Sequence, residues 1–182
     1  LGMDLKPYIE SGLLFIRQVD PAEMSPGEFG WEVRRQVEQE NEGHTKIVII
    51  DSLNGYKNAM PEEHFLSAQL HEILTYLGQQ GVVTLLVVAQ HGLIGSYLES
   101  PVDASYLADC VILFRIMEHE GELRQIISVM KKRSGPHERA VREMQLTANG
   151  IKVGQKLTGF RGLLSGSPEP TKSFMKLEEE NA

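Results

Sequence analysis

Lys46 to Asp51 (KIVIID) is the stretch that most narrows what this chain can become. It is nearly all β-branched and apolar, the mark of a strand buried on both faces of a parallel sheet, and an aspartate ends it. Pro61-Glu62-Glu63 then opens a helix that is expected to continue to about Leu77. Along it, Leu66, Leu70, Ile73, Leu74 and Leu77 fall at three- and four-residue spacings and form one apolar stripe. Gly78 and Gly81 close the helix, and Val82 to Ala89 (VVTLLVVA) reads as a second buried strand. Strand, helix and strand at this spacing make a βαβ crossover, so the class is α/β.

The remaining segments fit around that unit. Leu13 to Val19 (LLFIRQV) is short, apolar and β-rich, and Asp20-Pro21 closes it, which predicts a strand. Ser25 before Pro26 supplies an N-cap with proline at the first helical position, and the helix is expected to reach about Asn41. Phe29, Val33 and Val37 give it one buried stripe. Gly92 to Asp103 is rich in Gly, Ser and Pro and reads as a loop; Cys110 to Ile116 reads as a strand. Three short strands follow at Gln125–Met130, Glu143–Thr147 and Ile151–Val153, with Asn149-Gly150 as the strongest hairpin signal. The expected organisation is a largely parallel core flanked by helices with C-terminal antiparallel strands, one domain over 1–168 and a polar tail over 169–182.

Composition excludes several function classes. The formal charge of −7 gives no global basic field to draw the chain to nucleic acid. A single cysteine, Cys110, permits neither an internal disulfide nor a thiolate metal cage. No apolar run approaches the roughly 20 residues that span a bilayer, so no membrane role is expected and a cytoplasmic setting is. The opening Leu1-Gly2-Met3-Asp4 reads like the middle of a domain, and the expectation is a chain cut from a longer one.

Three places carry candidate chemistry. Asp51 sits at the carboxyl end of its strand, where open α/β sheets bind ligands. Such a carboxylate suits Mg²⁺ held through water beside a polyphosphate; it equally suits a turn that merely begins with Asp. Gln90-His91-Gly92 follows the next strand, and Gln90 there is placed to sense a terminal phosphate or position a water, whereas His91 reads more naturally as a surface histidine. Between Lys131 and Arg142 five basic side chains, Lys131, Lys132, Arg133, Arg139 and Arg142, stand against Glu138 alone. That density fits phosphate recognition, or a solvated charge run. The phosphate-loop pattern G-x-x-x-x-G-K-[ST], the H-E-x-x-H zinc motif and the G-x-S-x-G elbow are all absent from these residues.

Taken in order, several of these segments resemble the KaiC branch of RecA-like ATPases. They are Asp4-Leu5-Lys6-Pro7-Tyr8-Ile9 to Gly12-Leu13, Val48-Ile49-Ile50-Asp51-Ser52-Leu53, Gln90-His91-Gly92 and Leu107-Ala108-Asp109. Met130-Lys131-Lys132-Arg133 to His137, and Gly159-Phe160-Arg161-Gly162-Leu163-Leu164-Ser165-Gly166, continue the match. The resemblance implies a RecA-like P-loop NTPase core, here without its N-terminal phosphate-loop portion, acting on ATP with Mg²⁺ in homo-oligomeric rings, typically hexamers. It implies Asp51 as the Walker B aspartate and metal-side residue; Gln90, from its place after the next strand, is the second candidate catalytic residue. It implies Lys131, Arg133 and His137 as an arm reaching the neighbouring subunit's nucleotide. Ser105 is the candidate phosphoacceptor of an autokinase, with Tyr106 where the clock protein has threonine. Signalling proteins are the expected partners, and the fragment alone is expected to bind ATP weakly or not at all.

Two rival classes frame that expectation. One is a non-catalytic oligomerisation or scaffold module on the same fold. The other is a RecA-like recombination ATPase whose 92–103 loop meets DNA; that loop has no Lys or Arg and carries Glu99 and Asp103, poor footing for phosphate contacts.

Overall fold

A computed structural model describes residues 2–39, 45–55, 65–89, 105–165 and 168–171. They fall into two compact units. One contains 15–39, 45–55, 65–89 and 105–107; the other contains 2–14, 108–165 and 168–171.

The first unit is helix on parallel sheet. Helix α2 (Pro26–Gln39) starts where Ser25 predicts. The Glu28 carboxylate accepts from both the backbone N–H and the hydroxyl of Ser25 at 2.8 Å, and the Glu28 N–H donates back to that hydroxyl at 3.3 Å. This reciprocal capping box satisfies donors that a helix start otherwise leaves open, and the serine's hydrogen bonds hold the Glu28 carboxyl below its usual range. Strands β1 (Ile47–Asp51) and β2 (Val83–Val87) pair in parallel, Ile47 opposite Val83 through Asp51 opposite Val87, and α3 (Leu66–Gln79) connects them. Val37, Ile50, Leu53, Leu70, Ile73, Leu77 and Val82 form the core, with Phe29, Val33, Val48 and Leu86 packed around it.

Two expectations need correcting. Leu13–Val19 forms no strand: the Leu14 N–H closes a turn onto the Tyr8 carbonyl at 3.0 Å, and Leu13, Phe15 and Ile16 are exposed. A β-rich run becomes a strand only where a neighbour accepts its hydrogen bonds, and among the described residues none pairs with it. The β1–β2 sheet is also covered on one face only among the described residues. The helices cover Val48, Ile50 and Leu86, while Ile47, Ile49, Val83, Leu85 and Val87 lie exposed on the other face.

The second unit is a four-stranded antiparallel sheet in the order β3 (Cys110–His119), β4 (Glu122–Lys132), β5 (Arg142–Thr147), β6 (Gly150–Lys156). It also holds the short helix α1 (Lys6–Glu10) and a two-residue pair, β7 (Phe160–Arg161) with β8 (Glu169–Pro170), joined by the Arg161–Glu169 ion pair at 2.7 Å. Met117, Ile126 and Leu163 are its buried centre. Among the described residues no helix is long and apolar enough to cross a membrane.

Candidate functional site

Because β1 and β2 run parallel, their carboxyl ends share one rim of the sheet, with Asp51 opposite Val87. Side chains alternate along a strand, so Asp51 continues the row of Ile47 and Ile49 on the uncovered face and is exposed. The peptide joining it to Ser52 is cis. Beyond it the chain turns sharply, the Gly55 N–H reaching the Ser52 carbonyl at 3.3 Å, and Leu53 enters the core.

Asn54, only 8% exposed, is a residue that the sequence pattern does not single out. Its Nδ2 donates to the Ala89 carbonyl and its Oδ1 accepts from the Ala89 N–H, each at 2.7 Å. A primary amide carries one donor group and one acceptor in the geometry of a peptide unit. The side chain therefore extends the β1–β2 pairing two residues past Val87, where the β1 backbone has already turned away. An Asn-Gly pair after a strand is an ordinary turn signal, and nothing in the local pattern marks the side chain as a cross-sheet link.

Asp51 is a single open carboxylate, and among the described residues no three His, Cys, Asp or Glu side chains group as a metal cage. That suits Mg²⁺, which keeps several waters and takes one or two carboxylates with substrate oxygens, better than an ion needing an all-protein shell. Gln90, His91 and the 92–103 loop lie outside the described residues. Ser105 is exposed in a turn with Tyr106.

The basic run occupies the end of β4 and the segment leading into β5. Lys131 pairs with Val111 and Lys132 with Cys110, beside a bulge at Val111/Ile112. The Arg133 N–H donates to the Asp109 carbonyl at 2.7 Å, and its guanidinium meets the Asp109 carboxylate at 3.2 Å, both side chains well exposed. His137 is half-buried, and its Nε2 is enclosed without a hydrogen-bond partner among the described residues. Arg142 is committed elsewhere: it grips Glu138 through Nε at 3.2 Å and Nη2 at 2.7 Å, and donates Nη1 to the Gly154 carbonyl at 2.8 Å. Of the five cations, this one braces the sheet.

The family model of the KaiC ATPase matches residues 1–158. The chain belongs to the KaiC ATPase family. The circadian clock protein KaiC3 of Synechocystis sp. is 26% identical over 121 residues, 66% of this chain and 24% of that protein. The circadian clock oscillator protein KaiC of Prochlorococcus marinus is 23% identical over 167 residues, 92% of this chain and 32% of that one. The chain thus spans a third or less of the curated relatives it matches. Among solved structures, a KaiC-like protein from Pyrococcus horikoshii superposes with a TM-score of 0.68 at 24% identity, over 85% of this chain and 66% of that one. This likeness bears out the RecA-like α/β class. The resemblance carried by the short motifs is likewise borne out.

Proposed function

We propose that the chain is the part of a KaiC-type regulatory ATPase that carries the metal-side carboxylate and the cationic arm. The observation that supports this most is the shared rim: Asp51 and the end of β2 are held level by parallel pairing and by the Asn54 link to Ala89, the residue directly before Gln90 in the sequence. In this reading Asp51 orients a hydrated Mg²⁺, and Gln90 positions the attacking water or senses the terminal phosphate. The metal, when bound, supplies charge neutralisation on the phosphate oxygens. Lys131 and Arg133 belong to an arm serving the nucleotide of a neighbouring subunit, where two cations stabilise the charge that develops on the leaving phosphate. His137 completes that arm, and Ser105 is the candidate phosphoacceptor if the enzyme is also an autokinase. The assembly is a homo-oligomeric ring, hexameric by family likeness, acting in the cytoplasm with signalling partners and without nucleic acid.

Asp51→Asn tests the reading. In the intact protein it should lower ATP turnover by about 100-fold or more, while far-UV circular dichroism stays at the wild-type signal. Wild-type turnover in this variant would remove Asp51 from the chemistry, and no turnover by wild type would leave a scaffold module on the same fold.

A further inference from the structure

We propose that Asn54 is a positioning residue for phosphoryl transfer, fixing the carboxyl end of β2 at Ala89 against Asp51. The inference rests on the ATPase reading above and goes beyond it by assigning a role to a side chain outside the family's metal and phosphate contacts.

The strand ladder itself stops at Asp51 opposite Val87. Past that point β1 leaves the sheet, because Leu53 drops into the core and Gly55 closes a turn onto Ser52. The chain after Val87 would then run on with no partner on the β1 side. Asn54 supplies that partner, engaging both polar groups of Ala89 at 2.7 Å from a nearly buried position. Ala89 is the residue directly before Gln90. Two short bonds to one residue's N–H and carbonyl fix both its distance and its rotation, which a single bond does not. The turn holding Asn54 is itself pinned: a Cβ at Gly55 would come within 3.0 Å of the Pro21 ring, so the backbone there has little room to shift. Reaction rates depend steeply on such placement, since an error of about 1 Å can lower a rate roughly 100-fold.

The test uses two variants of the intact protein, Asn54→Asp and Asn54→Ala, in single-turnover hydrolysis of Mg-ATP with enzyme in excess, beside wild type and Asp51→Asn. With folded sites saturating and in excess, the ATP added sets the amplitude and the chemistry sets the rate constant, so partial unfolding, which only removes sites, leaves the rate constant unchanged. Asn54→Asp keeps the shape and the acceptor for the Ala89 N–H but sets a carboxylate oxygen against the Ala89 carbonyl. Asn54→Ala removes both bonds. The rate constant should fall at least about fivefold in each variant. For Asn54→Asp, the ratio to wild type should recover as the pH is lowered and the introduced carboxyl gains an O–H that can donate to the Ala89 carbonyl. A smaller fall, whatever the melting temperature does, would overturn the positioning role. Undiminished hydrolysis by Asp51→Asn would take Asp51 out of the chemistry, and no hydrolysis by wild type would mark failure of the ATPase reading itself; the Asn54 role would go with either.

Discussion

Around Glu138 and Arg142, three hydrogen bonds join one carboxylate to one guanidinium, and a fourth carries the guanidinium to the Gly154 carbonyl. The hydrogen bonds from Arg142 hold the Glu138 carboxyl below the usual range, and the carboxylate in turn raises Arg142. A carboxyl depressed by folding contributes stability that is fully present above its unfolded value of about 4.3. That contribution fades as the pH falls through the lower, folded value. Glu138→Gln lacks it at every pH. The melting-temperature gap between wild type and this variant should therefore be widest near neutrality and close on acidification. A gap that grew in acid would mean the pair is not what stabilises the segment entering β5. Charge density alone marks 131–142 as basic, but density does not say which cation is already spent. Arg142 and Arg133 both have carboxylate partners, Glu138 four residues before the first and Asp109 just ahead of β3 for the second, and only the fold brings the latter near. The place of Asp51 at the carboxyl end of its strand was legible because strand periodicity and an acidic end are both written locally. Asn54 was not, because its partner lies thirty-five residues on.

Among the elements, α2 was readable almost to the residue, since Ser25, Pro26 and Glu28 encode its start within four positions. The hairpins were less so. Asn149-Gly150 marks the β5–β6 connection, yet the register sets Thr147 opposite Gly150, so the turn residues are Ala148 and Asn149 and Gly150 opens β6 at φ +108. The β3–β4 connection carries no strong signal at all: His119 faces Glu122, and Glu120-Gly121 fill a two-residue turn with φ of +53 and +76. Both central residues at positive φ define the turn whose twist matches antiparallel strands, and Asn-Gly is its favoured sequence. A glutamate there is strained, whereas the glycine is at ease. Two substitutions should then act in opposite directions. Gly121→Ala should destabilise by about 1–2 kcal/mol from backbone strain alone, because the space around an added Cβ is open. Glu120→Asn should stabilise by a few tenths of a kcal/mol or more, losing only the exposed contact to His119 at 3.8 Å. Urea denaturation of both variants checks the signs; destabilisation by Glu120→Asn would reject the turn geometry.

For the molecule as a whole, the uncovered face of the parallel sheet is the feature composition could not foresee. Parallel strands are ordinarily covered on both faces, and the apolar run at Lys46–Asp51 reads that way, but among the described residues Ile49 is 63% and Leu85 51% exposed. With Ile47, Val83 and Val87 they make one aliphatic patch in register across the two strands, ending at Asp51. Contiguous apolar patches on a protein surface mark binding faces or promote association. The chain spans a third or less of its curated relatives, so the behaviour of these 182 residues by themselves is a question separate from that of the whole protein. Purified alone, they should bind a hydrophobic dye such as ANS and associate as concentration rises. The paired change Ile49→Lys with Leu85→Glu isolates the cause. The two positions face each other, so the new charges attract across the strands, and one gain of each sign leaves the formal net charge at −7. Dye fluorescence and sedimentation-detected association should both drop while helical circular dichroism is retained. Equal dye binding by the two proteins would show that this face is covered in solution, and with it the approach to Asp51 from that side.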